Sequence, residues 1–166
     1  TNNAIAIESD CQSCPEGFFQ FSLAQSECTS CKSGQYADKK GESNCKSCAA
    51  GSSYRNTISP CIPCEVGKYQ DLNSGYSQLS CKPCLIGSYS TGTGTATCTK
   101  CGEGKYGNPG DPIKNSAAHC LNCQDGKYQN QVGKFTCKDC PIGFYMPSFF
   151  NDPRTSCLAC EASEQP

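Results

Sequence analysis

Large apolar residues are scarce in this chain: Leu, Ile, Val and Phe together supply 22 of its 166 residues. That excludes the single core around which a chain of this length ordinarily folds. Net charge is nearly absent too, at -1, and with it the usual companion of low apolar content, charge-driven disorder. Near-neutrality leaves no basic patch for nucleic acid and no polybasic stretch for a membrane surface. No apolar run approaches the roughly 20 residues that span a bilayer, so direct membrane insertion is not expected. No Asn-x-Ser/Thr sequon invites an N-linked glycan.

Catalytic groups are equally sparse. The one histidine, His119, adjoins Cys120 in a long loop with no partner set for proton transfer, and is expected to face solvent. Carboxylates such as Asp38, Glu42, Glu65 and Glu103 are scattered, with no run like a calcium loop. No cofactor site is indicated, and the chain is not expected to be an enzyme.

What the chain has is cysteine, 18 residues, all in C-x-x-C pairs. The pairs begin at Cys11, Cys28, Cys45, Cys61, Cys81, Cys98, Cys120, Cys137 and Cys157, with steps of 16 to 22 residues. Self-similarity at a nearly fixed period marks a repeat array. Cysteine at this density signals a disulfide scaffold and an oxidising compartment. Extracellular or cell-surface location follows. The polar start at Thr1, without an initiating Met, reads as a mature secreted chain or a piece of a longer one.

Each unit also carries a glycine and an aromatic. Gly17, Gly34, Gly51, Gly67, Gly87, Gly104, Gly126 and Gly143 stand three residues after the second cysteine of eight pairs; the ninth has Ser163. Two residues further come Phe19, Tyr36, Tyr69, Tyr89, Tyr106, Tyr128 and Tyr145, with Tyr54 displaced by one place in the third unit. Only Tyr76 among the tyrosines lies outside this pattern. The glycine suits a tight turn with positive φ. The segment around the ring is β-prone, and the ring, laid on the nearest disulfide, is expected to make a miniature core. Gly41, Gly94 and Gly133, four residues before a pair, mark return turns of small hairpins. Longer units insert Asn73-Ser74-Gly75, Asn108-Pro109-Gly110 or Asn151-Asp152-Pro153, all turn chemistry.

Spacing alone does not settle the bridging. Bonds within a C-x-x-C are strained and typical of redox sites. The economical scheme is a ladder from the second cysteine of each pair to the first of the next: Cys14–Cys28, Cys31–Cys45, Cys48–Cys61, Cys64–Cys81, Cys84–Cys98, Cys101–Cys120, Cys123–Cys137 and Cys140–Cys157. Coupling of pairs two by two, first to first and second to second, is the alternative. The ladder leaves Cys11 and Cys160, expected either to bond between copies or to continue into further repeats. Two C-x-x-C pairs at this spacing also match structural zinc sites. The odd number of pairs, the glycine-aromatic grammar and the absence of a histidine ligand weigh against that minor alternative. A thioredoxin-like site needs a helix after a strand, and no such helix is legible.

The full unit, Cys31-Lys32-Ser33-Gly34-Gln35-Tyr36 with Gly41 and then Cys45-Lys46-Ser47-Cys48, is similar to the ephrin-receptor-like cysteine-rich repeat. Its opening, C-x-x-Gly-x-Tyr, resembles the first module of tumour necrosis factor receptor repeats. The resemblance runs from Cys11 to Cys160. It implies extracellular location, ladder bridging and an elongated rod of stacked modules, but carries no activity. True receptor modules alternate with a second, differently bonded module, whereas this chain repeats one kind.

The expected fold is therefore small and disulfide-rich: an elongated, solenoid-like rod of short β-hairpin modules with very little helix. Residues 1–10 form an N-terminal extension whose Ala4-Ile5-Ala6-Ile7 suits strand addition to a neighbour. Residues 11–160 form the repeats, and 161–166 a tail or the start of another. Phe18, Phe19 and Phe21 near one end, and Phe144, Phe149 and Phe150 near the other, suit a head-to-tail contact with another copy. Thr91, Thr93, Thr95 and Thr97 form a hydroxyl row suited to O-linked sugar or to a flexible hairpin tip. The functional expectation is a non-enzymatic building block of a surface fibre, stalk or self-assembling filament such as a flagellar hair, with itself as main partner. Other extracellular proteins are the partners of the alternative reading, a ligand-binding receptor ectodomain.

Overall fold

The computed structural model describes residues 12–22, 27–71, 80–147 and 154–161. Among the described residues, sixteen short strands pair into eight separate two-stranded antiparallel sheets. The helical element among the described residues is a 3-10 turn, Ala117–His119. The fold is a small disulfide-rich series of hairpins.

Each hairpin is assembled the same way. The residues after the second cysteine form a turn in which the N–H after the motif glycine donates to a carbonyl three residues back, as in Gln35 to Lys32 at 2.9 Å. The glycine sits at the third position of that turn with φ between 72° and 91° in all eight units, the left-handed backbone of a type II turn. The two following residues are the first strand, and the two residues inside the next C-x-x-C are the second. Thus Tyr36 faces Lys46, Tyr69 faces Lys82, and Tyr128 faces Lys138. Closing each hairpin, the second cysteine of the next pair donates its N–H to the motif glycine carbonyl, for example Cys31 to Gly17 at 2.8 Å.

Two-residue strands have no independent stability. The disulfides supply the constraint, joining Cys14–Cys28, Cys31–Cys45, Cys48–Cys61, Cys64–Cys81, Cys84–Cys98, Cys101–Cys120, Cys123–Cys137 and Cys140–Cys157. The eight loops so closed, numbered here as modules 1 to 8, span 13 to 19 residues. Loops of that size each restrict the unfolded chain by about 3 kcal/mol. The chain exposes 11325 Å², against about 7,900 Å² for a globular protein of its mass. Among the described residues the buried interior is small.

Sulfur rather than aromatic carbon fills that interior. Cys14, Cys31, Cys48, Cys64, Cys84, Cys101 and Cys123, the second cysteines of their pairs, are buried. The residues Phe19, Tyr36, Tyr69, Tyr89, Tyr106 and Tyr128 are half-buried and Tyr145 is exposed. The buried position is instead the residue after the ring: Ala37, Gln70, Ser90, Gln129 and Met146. In module 3 the strand register gives Ser53, opposite Ile62, the place that a ring holds elsewhere. Tyr54 lies one residue beyond, in the place of Ala37 and its equivalents.

Candidate functional site

The surfaces with a specific, repeated geometry are the seams between modules. At seam 4–5 the Gly67 N–H donates to the Ser90 carbonyl at 2.9 Å, and the Gln70 N–H to the Thr95 carbonyl at 3.1 Å. The return turn of module 5 answers, with the Gly94 N–H on the Cys64 carbonyl at 2.8 Å. Seam 6–7 repeats the three bonds as Gly104 to Gln129, Gly107 to Lys134, and Gly133 to Cys101. Seam 1–2 does so as Gly17 to Ala37, Gln20 to Glu42, and Gly41 to Cys14. The residue after the ring is buried because its backbone lies in this seam. Its side chain varies among Ala, Ser and Gln.

Gly51, Gly67 and Gly87 also reach the module after next. A Cβ on Gly51 would stand 2.0 Å from the Gly94 carbonyl oxygen, and one on Gly67 2.0 Å from that of Ile113. At Gly87 the Gly133 carbonyl oxygen would be 2.4 Å away. The glycine therefore serves two needs, a left-handed turn and a close approach of backbone to backbone. Only the first is readable from local sequence.

Seam 5–6 uses a side chain. The Gly87 N–H donates to His119 Nε2 at 3.4 Å, while His119 Nδ1 lies 3.1 Å from Asp111 Oδ2. These partners fix the neutral tautomer with the proton on Nδ1, donated to the carboxylate. His119 is 1% exposed, which corrects the expectation that it faces solvent. The physical reason is the length of module 6. Asn108 accepts from the Gly110 N–H, and Asp111 from those of Ile113 and Lys114, so the loop folds back and carries His119 into the seam. Those backbone donors, the Ile113 N–H foremost, hold the Asp111 carboxyl below the usual carboxylate range. Gly107 is required here as well, since a Cβ would lie 2.1 Å from the Gly87 nitrogen and 2.9 Å from His119 Nε2.

Seam 7–8 uses another side chain. Arg154 Nη1 donates to the Cys123 carbonyl at 2.7 Å, the role that turn glycines fill at the three regular seams. Its Nη2 pairs with Asp125 at 2.8 Å, and its carbonyl accepts from Gln129 at 3.0 Å.

A surface triad recurs outside the seams. Lys46 crosses to Asp38 and Glu42 and lies 5.9 Å from the centre of the Tyr36 ring. Lys138 lies 5.7 Å from the Tyr128 ring centre and donates to Asn130. Lys82 reaches Asp71, beside Tyr69. The sequence signal is Tyr-x-Asp/Asn followed by Cys-Lys-x-Cys. Lys46 lowers the Asp38 pKa, and Asp38, then Glu42, raise that of Lys46. Glu65 is likewise lowered by its hydrogen bond from Lys68. Across the described residues the remaining ion pairs are as local as these, and no group of three or more His, Cys, Asp or Glu forms a metal-sized cluster.

Residues 110–157 match the model of the family described as tyrosine-protein kinase ephrin type A/B receptor-like. That segment is similar to an ephrin-receptor-like repeat. The matched segment runs from the middle of module 6 through module 8, and the same disulfide-closed hairpin recurs in modules 1 to 5. No curated protein matches the chain. Cys160 is an exposed free thiol; Cys11, the extension 1–10, Asn73-Ser74-Gly75, Tyr76, Phe149, Phe150, Asn151-Asp152-Pro153 and Ser163 lie outside the described residues. Among the described residues no helix is long and apolar enough to cross a membrane.

Proposed function

We propose that this chain is a non-enzymatic extracellular structural element, a disulfide-laddered rod that serves as building block of a surface fibre, stalk or filament such as a flagellar hair. The observation that carries this reading is the seam, in which backbone bonds repeat from module to module. Eight disulfides, persistent only where thiols are not kept reduced, and the ephrin-receptor-like match support the extracellular placement. The same disulfides occupy sixteen of the thiols that a zinc array would need. Copies are linked head to tail through Cys160 and Cys11. The two thiols pass two electrons and two protons to a small-molecule disulfide, which leaves as its two thiols. Electron microscopy of the purified oxidised chain tests this: linear oligomers that shorten on mild reduction are expected, and a population of single rods contradicts it.

The second reading, a ligand-binding ectodomain, draws on one feature. Val66, Pro83, Pro112 and Ile113 line an open groove of about 550 Å³ beside Glu65 and Lys68. On that reading Val66→Asp abolishes capture of an extracellular partner while leaving oligomer length unchanged.

A further inference from the structure

Motif glycines donate their N–H to the module that follows. For Gly17, Gly51, Gly67 and Gly104 the acceptor is a main-chain carbonyl, that of Ala37, Gln70, Ser90 and Gln129 in turn. A carbonyl does not titrate. For Gly87 the acceptor is His119 Nε2 at 3.4 Å, and histidine is the side chain whose charge changes in the physiological range of pH.

The ring is shut in. His119 is 1% exposed, and Gly107 packs so closely that a Cβ there would stand 2.1 Å from the Gly87 nitrogen and 2.9 Å from Nε2. Neutral, the ring accepts from Gly87 at Nε2 and donates from Nδ1 to Asp111 Oδ2 at 3.1 Å. Protonated, it carries a donor on both nitrogens. Two N–H groups would then face each other at Gly87, with neither satisfied.

The surroundings keep the rest of the site in place. The charged and titratable residues on the elements packed against the ring are Asp111 and Lys114 on its own loop, Lys105 and Tyr106 on the strand that carries Gly107, Tyr89 on the strand after Gly87, and Lys134 on the return turn of module 7. Of these, among the described residues, Asp111 is the one with a hydrogen bond to the ring; Lys114 Nζ turns to the Pro112 carbonyl. The Ile113 N–H, foremost, holds the Asp111 carboxyl below its ordinary range, so a carboxylate stays on Nδ1 whichever form the ring takes. Across the same seam the Ser90 N–H donates to the Lys114 carbonyl at 3.0 Å, a main-chain bond that does not respond to acid.

We propose that seam 5–6 is an acid-released joint: a proton taken up from solvent at His119 Nε2 breaks the Gly87 hydrogen bond, loosens module 5 from module 6 at that point, and leaves the imidazolium paired with Asp111. The proton reaches the buried nitrogen during brief local opening of the seam, the Gly87 N–H keeps its own proton, and raising the pH reverses the change. The seams at Gly17, Gly51, Gly67 and Gly104 hold through the same range. The joint rests on these contacts alone and applies equally to a fibre subunit and to an ectodomain.

The test uses the full oxidised chain, with nuclear magnetic resonance following the His119 ring and the backbone amides from about pH 8 to about pH 5, the range in which histidine changes charge. Exchange at each amide is expressed as protection relative to the unfolded chain at the same pH, which removes the intrinsic pH dependence. The expected result is a fall of at least roughly tenfold in protection at Gly87, with the same midpoint as the His119 ring signals, while Gly67 keeps its protection. In His119→Gln, which retains an acceptor and does not titrate, protection at Gly87 should not depend on pH, and an unchanged disulfide map verifies the fold of the variant. A Gly87 amide equally protected at both ends of the range overturns the joint, whether or not the ring titrates. So does a loss shared by Gly67, which marks general loosening, or one that persists in His119→Gln, which assigns it to another group.

Discussion

Seam 4–5 and seam 5–6 lie side by side and are built differently. In the first, Gly67, Gln70 and Gly94 make three main-chain hydrogen bonds across the seam. In the second, the Gly87 N–H finds an imidazole nitrogen instead of the next module's carbonyl, and that imidazole is itself steadied by Asp111. The stack continues through both. What a seam needs is a donor, an acceptor and the absence of a Cβ at fixed places, and residue identity matters only where it supplies one of these. Seam 7–8 makes the same point, because the Arg154 guanidinium reaches the carbonyl that a turn glycine reaches elsewhere.

The comparison breaks most severely if a Cβ is forced into a regular seam. Gly67→Ala places a methyl against the Ile113 carbonyl oxygen at 2.0 Å on a left-handed backbone, and should cost about 3 kcal/mol or more locally. Amide exchange at Ser90 and Cys84 reads the loss. Gly126→Ala meets open space and should cost only the backbone strain, about 1 kcal/mol. Equal effects at the two sites would remove the next-but-one contact from the account.

Removing one rung is next in size. Cys64→Ser with Cys81→Ser should destabilise module 4 by about 3 kcal/mol and open it to proteolysis between residues 65 and 80, with the flanking modules still resistant. Proteolysis spreading along the whole chain would show that the modules do not hold independently.

His119→Ala should cost about 1–3 kcal/mol, because it leaves the Gly87 N–H without its acceptor in a buried seam. His119→Gln, which keeps an acceptor, should recover part of the loss. Exchange at the Gly87 amide distinguishes the two, and no such effect should appear at Gly67.

Acid should sharpen the same contrast more gently. The Asp111 carboxyl lies below its ordinary value in the folded chain, chiefly through the Ile113 N–H. Its contribution is therefore complete above the unfolded value of about 3.9 and is lost as pH falls through the lowered folded value. The Ile113 and Lys114 amide resonances should move in that window, and in Asp111→Asn they should not. The exposed Lys46 triad marks the lower limit: Lys46→Met should leave the denaturation midpoint unchanged, because solvent screens such pairs.

Much of this architecture is legible in local sequence. The C-x-x-C-x-x-Gly-x-Tyr grammar forecasts the hairpin, since the glycine turn and the short strand are made within one unit. What acts between units is not legible. Ala37, Gln70, Ser90 and Gln129 share a buried place with differing side chains, because the seam holds their main chain. His119 looked solvent-facing beside Cys120 because its partner Gly87 is 32 residues away. The second duty of the glycines is hidden in the same way, in turns that return about two modules later.

Native alkylation followed by non-reducing peptide mapping tests the central claim most directly. The account predicts the rungs Cys14–Cys28 through Cys140–Cys157 in order, with Cys160 either alkylated or joined to another molecule. Bridges inside C-x-x-C pairs, or thiols that react only after zinc is stripped, would contradict it.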